Sequence, residues 1–409
     1  PTSDGRLTGL KWLLAAVGRR SMTAYLSQTL MFGTIFVIMP RLTGNPLELG
    51  MAASAAVAAV VWLVTVGVCA VLERLGEPGP FEALLRTAVV RMRSPGPPGG
   101  GAGAPLVPTG EAQARKTAPT EEAWITGTSY RGGMKLATSF TGTRGMRYPS
   151  PDVARGFMLL FISLANIPFW TGVARVSAPN DAADTAWLWV RTLLIDARSY
   201  PLFAMLFGFG LATMVNRRIA SGTESYLQSL PGVEAGREPT EQEEAWAREQ
   251  ATVDARRLVR RRGLWMILFG AVHAMLFSGD VIAAYGLTAV IFAGWLARKH
   301  WKRAAVLCAV ILVASVVITF VIVSFKTSQG AASATDMHAG AGESATTLLS
   351  YVSHGVTSWA VNLSTTPISL VVPAMFLGAR LADTDLIIRP ERHRRLLVAV
   401  GLGGLGIGA

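Results

Sequence analysis

Residues 271–289 read AVHAMLFSGDVIAAYGLTA, which sets a histidine and an aspartate seven positions apart in an otherwise apolar run. An ionisable side chain inside a membrane span costs about 2.5–3.5 kcal/mol on insertion scales, so it needs a partner, an aqueous cavity or a task. His273 can exchange a proton near neutral pH and suits general-base work. The alternative is a packed histidine bonded to a backbone carbonyl. Asp280 follows Gly279 at the tip of a helical hairpin. There it can cap the next helix or orient His273, and the two roles are compatible. Contact between them requires the first helix to end early, which Ser278-Gly279 permits.

Other polar groups sit where membrane physics alone does not require them. Asp152 and Arg155 are three apart on one helix face, as a snorkelling ion pair or a contact for an anion or phosphate. Asn166 lies three turns further along that face and could instead bond a neighbouring helix. In GRRSMTAYLSQTLMF, Ser21, Tyr25 and Gln28 share a face, with Thr23 beside them, and read as the lining of a polar cavity. Arg19 and Arg20 read as orientation charges. Arg198 and Tyr200 mark an outer boundary, followed by Gly208 and Gly210, which suit close helix packing. His354 is a second candidate base. His338 falls in a Gly/Ala/Ser-rich loop, and His300 and His393 belong to basic clusters.

These residues must be positioned by helices. The 409-residue chain is 51% hydrophobic and only 16% charged, against roughly 25% charge in soluble domains. Nine apolar runs approach span length: 23–40, 49–73, 154–172, 199–216, 263–278, 281–298, 304–325, 359–379 and 395–409. The expected fold is an all-α, polytopic transmembrane helical bundle of about nine spans. Cys69 and Cys308 lie inside apolar runs as small hydrophobes, with no zinc or disulfide framework. Residues 1–22 are polar and basic and do not resemble a signal peptide.

The net charge of +12 sits in clusters at span ends, which indicates orientation rather than nucleic-acid binding. Assigning all five clusters to the cytoplasm gives one consistent topology. Residues 94–147, with SPGPPGGGAGAPLVP, read as a flexible cytoplasmic linker. Residues 217–262 read as a cytoplasmic loop ending in an amphipathic surface helix, with Thr240 and Glu243 forming a capping box.

Taken together, these stretches resemble the YeiB family of polytopic bacterial membrane proteins. The matching residues are Asp152, Arg155, Gly156 and Asn166 in a first family span, and Leu206–Gly210 in a second. His273, Gly279, Asp280 and Tyr285 match its hairpin. Gly18, Arg19, Ser21, Thr23, Tyr25 and Gln28 resemble the family's C-terminal domain, as do Gly79, Pro80, Glu82, Leu85 and Arg86. That domain stands here at residues 1–93, a two-span hairpin ahead of a seven-span core at 148–409, so the order is permuted. In family order a further span of about 20 residues would join Ala409 to Pro1.

The family is related to transmembrane acyltransferases of the heparan-alpha-glucosaminide acetyltransferase type. The resemblance therefore implies a plasma-membrane acyltransferase taking acyl-CoA (acetyl-CoA) from the cytoplasm. Its partners would be the bilayer and an envelope glycan or lipid acceptor, and a homodimer is compatible. The loop TGVARVSAPNDAADTAW lacks the histidine central to that relative, which leaves the base to His273, Asp181 or Asp184.

On this reading His273 and Asp280 are catalytic. Asp152, Arg155, Asn166, Arg19, Tyr25 and Gln28 meet the donor, its phosphates at the arginines and its thioester oxyanion at Asn166 or Tyr25. The competing class is a transporter or flippase of a lipid or small polar solute, in which the same groups line a path. The lack of evident inverted repeats counts against it.

Overall fold

Membrane helices gain little from burying apolar surface against one another, so close backbone approach through small residues sets their packing. In a computed structural model this is how the helices pair. The structure describes residues 8–45, 47, 49–91, 149–171, 181–196, 198–233, 236–328, 348–386 and 391–408. It is 85% helical, with no strand among the described residues. The linker at 94–147, His338 and residues 172–180 lie outside them.

The N-terminal segment runs α1 (Gly9–Arg19), α2 (Ser21–Gly33), a π-helical turn (Thr34–Ile38), α3 (Met39–Thr43), α4 (Met51–Arg74) and α5 (Pro80–Arg91). Next come α6 (Pro149–Thr171), α7 (Ala182–Leu194), α8 (Ser199–Gln228) and α9 (Glu241–Ala274). The remainder is α10 (Ile282–Ala297), α11 (Trp301–Ser328), α12 (Leu348–Thr365), a 3-10 turn (Thr366–Ile368), α13 (Val371–Leu381) and α14 (Arg394–Gly408).

The three most extensive helix pairs are α9 with α10, α8 with α13, and α1 with α6. Each is built on reciprocal glycines. A Cβ at Gly18 would overlap the Asp152 carbonyl, and one at Gly156 the Leu14 carbonyl. Gly208 and Gly378 do the same against Met375 and Met205, while Gly263 and Gly286 face each other.

Each of the nine apolar runs falls on a helix, but they are not nine equal spans. Five helices among the described residues are long and apolar enough to cross a membrane, or six if α12 and α13 count as one. That pair bends by 54°, so the run 359–379 is not a straight helix. α10 has 16 residues, about 24 Å at 1.5 Å per residue. α14 has 15. The chain is a multi-pass membrane protein. Of the five candidate spans α11 is the least buried, with Val316 and Phe320 exposed.

The segment read as a cytoplasmic loop, 217–262, is itself mostly helical, because α8 continues to Gln228 and α9 begins at Glu241. The surface helix and the span after it are one 34-residue helix, its start fixed by the Thr240–Glu243 capping box. Residues 9–19 are also not merely polar: α1 buries Leu14–Gly18.

Candidate active site

α9 stops at Ala274, one residue past His273. The chain then turns through residues 275–281 before α10 starts at Ile282. This early stop brings the two hairpin residues together, His273 Nδ1 lying 2.8 Å from Asp280 Oδ1. Asp280 also caps α10, accepting from the backbone N–H of Ile282 at 3.2 Å and Ala283 at 2.8 Å. Both readings of Asp280 therefore hold at once. Gly270 makes room for it: a Cβ there would overlap Asp280 Oδ2 and Ala283.

The other ring nitrogen meets a residue the sequence did not single out. Thr29 Oγ1 on α2 is 2.8 Å from His273 Nε2. In the tautomer that donates Nδ1–H to the Asp280 carboxylate, Nε2 carries the lone pair and accepts from the Thr29 hydroxyl. The alternative acceptor for that hydroxyl, the Tyr25 carbonyl, is 3.4 Å away. A hydroxyl, an imidazole and a carboxylate thus stand in series, all three residues buried. This order is that of a nucleophile, base and orienting group.

Around it lie more polar groups. The Tyr25 ring sits 5.1 Å from the His273 ring. Its hydroxyl lies beside the Val281 amide and within electrostatic reach of Asp280, Tyr200 and Tyr285. Among the described residues, neither the Tyr25 O–H nor the Gln28 Nε2 has an acceptor for its proton, and both are buried. Tyr200 donates its hydroxyl to Asn166 Oδ1 at 2.5 Å, and Tyr285 donates to the Tyr200 carbonyl at 3.4 Å. A cavity of about 20 Å³ adjoins Asp280, lined by Ala283, Ala284, Trp359, Asn362, Leu363 and Thr366. That is room for about one water.

The remaining expected residues are elsewhere. Arg155 Nη1 pairs with Asp152 Oδ1 at 3.2 Å, and its Nη2 donates to the Leu206 carbonyl at 2.8 Å. Arg19 donates to Glu73 Oε2 at 3.2 Å and Oε1 at 2.5 Å, so its guanidinium is already engaged. Asp181 caps α7 by accepting from Asp184 N–H, and Asp184 accepts from Ala52 N–H at the start of α4. Both carboxylates are thus engaged at helix starts. His354 is on the exposed side of α12, 3.2 Å from Ser358.

Residues 3–92 match a family described as a protein of unknown function, DUF418. That segment supplies Thr29, Tyr25 and Gln28, while His273 and Asp280 come from outside it. The match coincides with the stretch that resembles the C-terminal part of the YeiB family and supports a DUF418/YeiB-like relationship there. No curated protein matches the chain. No solved structure does either.

Proposed function

We propose that this membrane protein is an acyltransferase. It moves an acyl group from cytoplasmic acyl-CoA to a hydroxyl or amine on a glycan or lipid of the cell envelope, with the plasma membrane as its site. The buried Thr29–His273–Asp280 series carries this reading. A neutral imidazole held by a carboxylate on one nitrogen and facing a hydroxyl on the other is poised to take a proton from an attacking oxygen.

In the reaction the oxygen or nitrogen that attacks the thioester carbonyl gives its proton to His273. The C–S bond breaks, and the proton passes from His273 to the departing thiolate. Asp280 holds the imidazole in the productive tautomer. The anionic end of the donor lies on the side rich in arginine, where Arg155 keeps a partly exposed edge. Eleven residues of α6, about 16 Å at 1.5 Å per residue, separate Arg155 from Asn166, so the donor must be elongated.

The test is incubation of the protein in lipid nanodiscs with radiolabelled acetyl-CoA and an extract of envelope lipids and glycans. Labelled product that disappears in His273→Ala supports the reading. No product and no free CoA from the intact protein would overturn it.

A second reading, a transporter, is favoured by the 54° bend between α12 and α13. The bend adjoins Thr366 of the cavity beside Asp280. Solute flux through reconstituted vesicles without chemical change would select it.

A further inference from the structure

Resting on the acyl-transfer reading, we infer that Thr29 is itself the catalytic nucleophile: it carries the acyl group as an oxygen ester between donor and acceptor. Three observations lead there. The group nearest the base is not a solvent channel but the hydroxyl of the chain's own Thr29, 2.8 Å from His273 Nε2. That hydroxyl already stands where an attacking oxygen must stand, and the imidazole is already held on its far side by Asp280. Lastly, two buried groups on the same helix, the Tyr25 hydroxyl and the Gln28 amide nitrogen, have no acceptor among the described residues. Tyr25 is one helical turn before Thr29, and Gln28 is its immediate neighbour.

A buried unpaired donor costs about 1–3 kcal/mol. α2 carries two of them within about one turn of Thr29. A group that supplies acceptor oxygen only during reaction accounts for both, as an oxyanion hole does.

The chemistry balances in two halves. In the first, the Thr29 oxygen attacks the thioester carbonyl and its proton moves to His273. An oxyanion forms facing Tyr25 and Gln28. The C–S bond then breaks, and the thiolate leaves with the proton from His273. In the second, the acceptor hydroxyl gives its proton to His273 and attacks the Thr29 ester. The bond from carbonyl carbon to Thr29 oxygen breaks, and Thr29 recovers the proton. Nothing is oxidised or reduced. Splitting transfer this way lets donor and acceptor visit the site in turn, which suits a small closed site.

The experiment uses the full-length protein in nanodiscs and radiolabelled acetyl-CoA, without acceptor. Rapid acid quench, digestion and peptide mass analysis are expected to place one acetyl group on Thr29. The label should survive neutral hydroxylamine, as an oxygen ester does and an acyl-imidazole does not. Thr29→Ala should lose the label and slow acceptor transfer by at least about 10³-fold. Thr29→Ser, which keeps the hydroxyl, should retain both. Thr29→Val keeps the shape and controls for folding, and it should behave as Thr29→Ala.

Acetyl found on His273 would overturn the inference. So would acceptor transfer by Thr29→Val within 10-fold of the original chain. Either result leaves the acyltransferase reading standing. Neither label nor transfer in the original chain would overturn the acyltransferase reading and this inference with it.

Discussion

Two polar clusters lie at opposite ends of α2 and are built from similar material to different ends. At the start of the helix, Arg19 and Arg20 meet Glu73, and Arg20 also donates to the Glu77 carbonyl. Glu82 there accepts from the backbone N–H groups of Met22 and Thr23 and from the Thr23 hydroxyl. Thr23 in turn accepts from Phe81 N–H. Residues about 60 apart in sequence are locked together, and the donors of the α2 N-terminus are spent on a carboxylate.

At the far end, Thr29, His273 and Asp280 are also linked, but Tyr25 and Gln28 on the same helix have no acceptor among the described residues. The first cluster closes on itself and holds α2 against α4 and α5. The second is left incomplete, and incompleteness in a buried site is what a substrate can finish.

The largest effect expected from disturbing this contrast is at the base. His273→Ala should lower acyl transfer by about 10³-fold, near 4 kcal/mol of transition-state stabilisation, with the melting profile in detergent little changed. Unfolding instead would assign the histidine to structure. Gly270→Ala comes next. Its Cβ intrudes on Asp280, so activity measured with acetyl-CoA should fall about 10–100-fold, with about 1–3 kcal/mol of lost stability.

Glu73→Ala should do the reverse. It should cost about 2 kcal/mol of stability, because two arginines lose a partly buried partner, and leave turnover per folded molecule unchanged. A selective loss of turnover would show that the two ends of α2 are not separable.

Smaller effects belong to the α8–α9 connection, remote from both. Thr240→Ala should remove about 1 kcal/mol of helix-start stability, read as faster hydrogen exchange over residues 241–246. Glu243 is held down to about 2 by the Arg237 guanidinium beside it, helped by the Thr240 amide. A carboxylate depressed in the folded state stabilises it above the ordinary value of about 4.3 and loses that contribution as pH falls through about 2. The Trp246 fluorescence, taken as the difference from Trp246→Phe, should therefore change between about pH 4 and 2. In Arg237→Ala the change should move upward in pH.

Much of the candidate site could be read before the fold. His273 and Asp280 stood out because an ionisable group in an apolar run has a cost that must be met. Asn166 and Tyr25 stood out for the same reason in weaker form. Arg155 and Asp152 paired as their spacing required. Thr29 did not stand out, because a threonine in a membrane helix can satisfy its own hydroxyl on the carbonyl four residues back, as Thr65 does on Val61. Nothing local distinguishes the one from the other. The nearest signal was its place one turn beyond Tyr25. Arg19, read as an orientation charge or as a contact for the donor's phosphates, pairs with Glu73, a carboxylate 54 residues away that no spacing rule connects to it.

By itself, then, the sequence determined that this chain is helical and crosses a membrane, since apolar run length and charge placement act locally along the chain. It also determined which ionisable groups had to be accounted for, because their desolvation cost belongs to each residue wherever it ends up. Only the tertiary structure decided which of them meet. Where α9 stops and how closely α10 can approach it over Gly263, Gly270 and Gly286 are settled by packing within the hairpin, and which hydroxyl of α2 arrives at the imidazole Nε2 is the outcome of packing between segments more than 240 residues apart, where no local preference reaches.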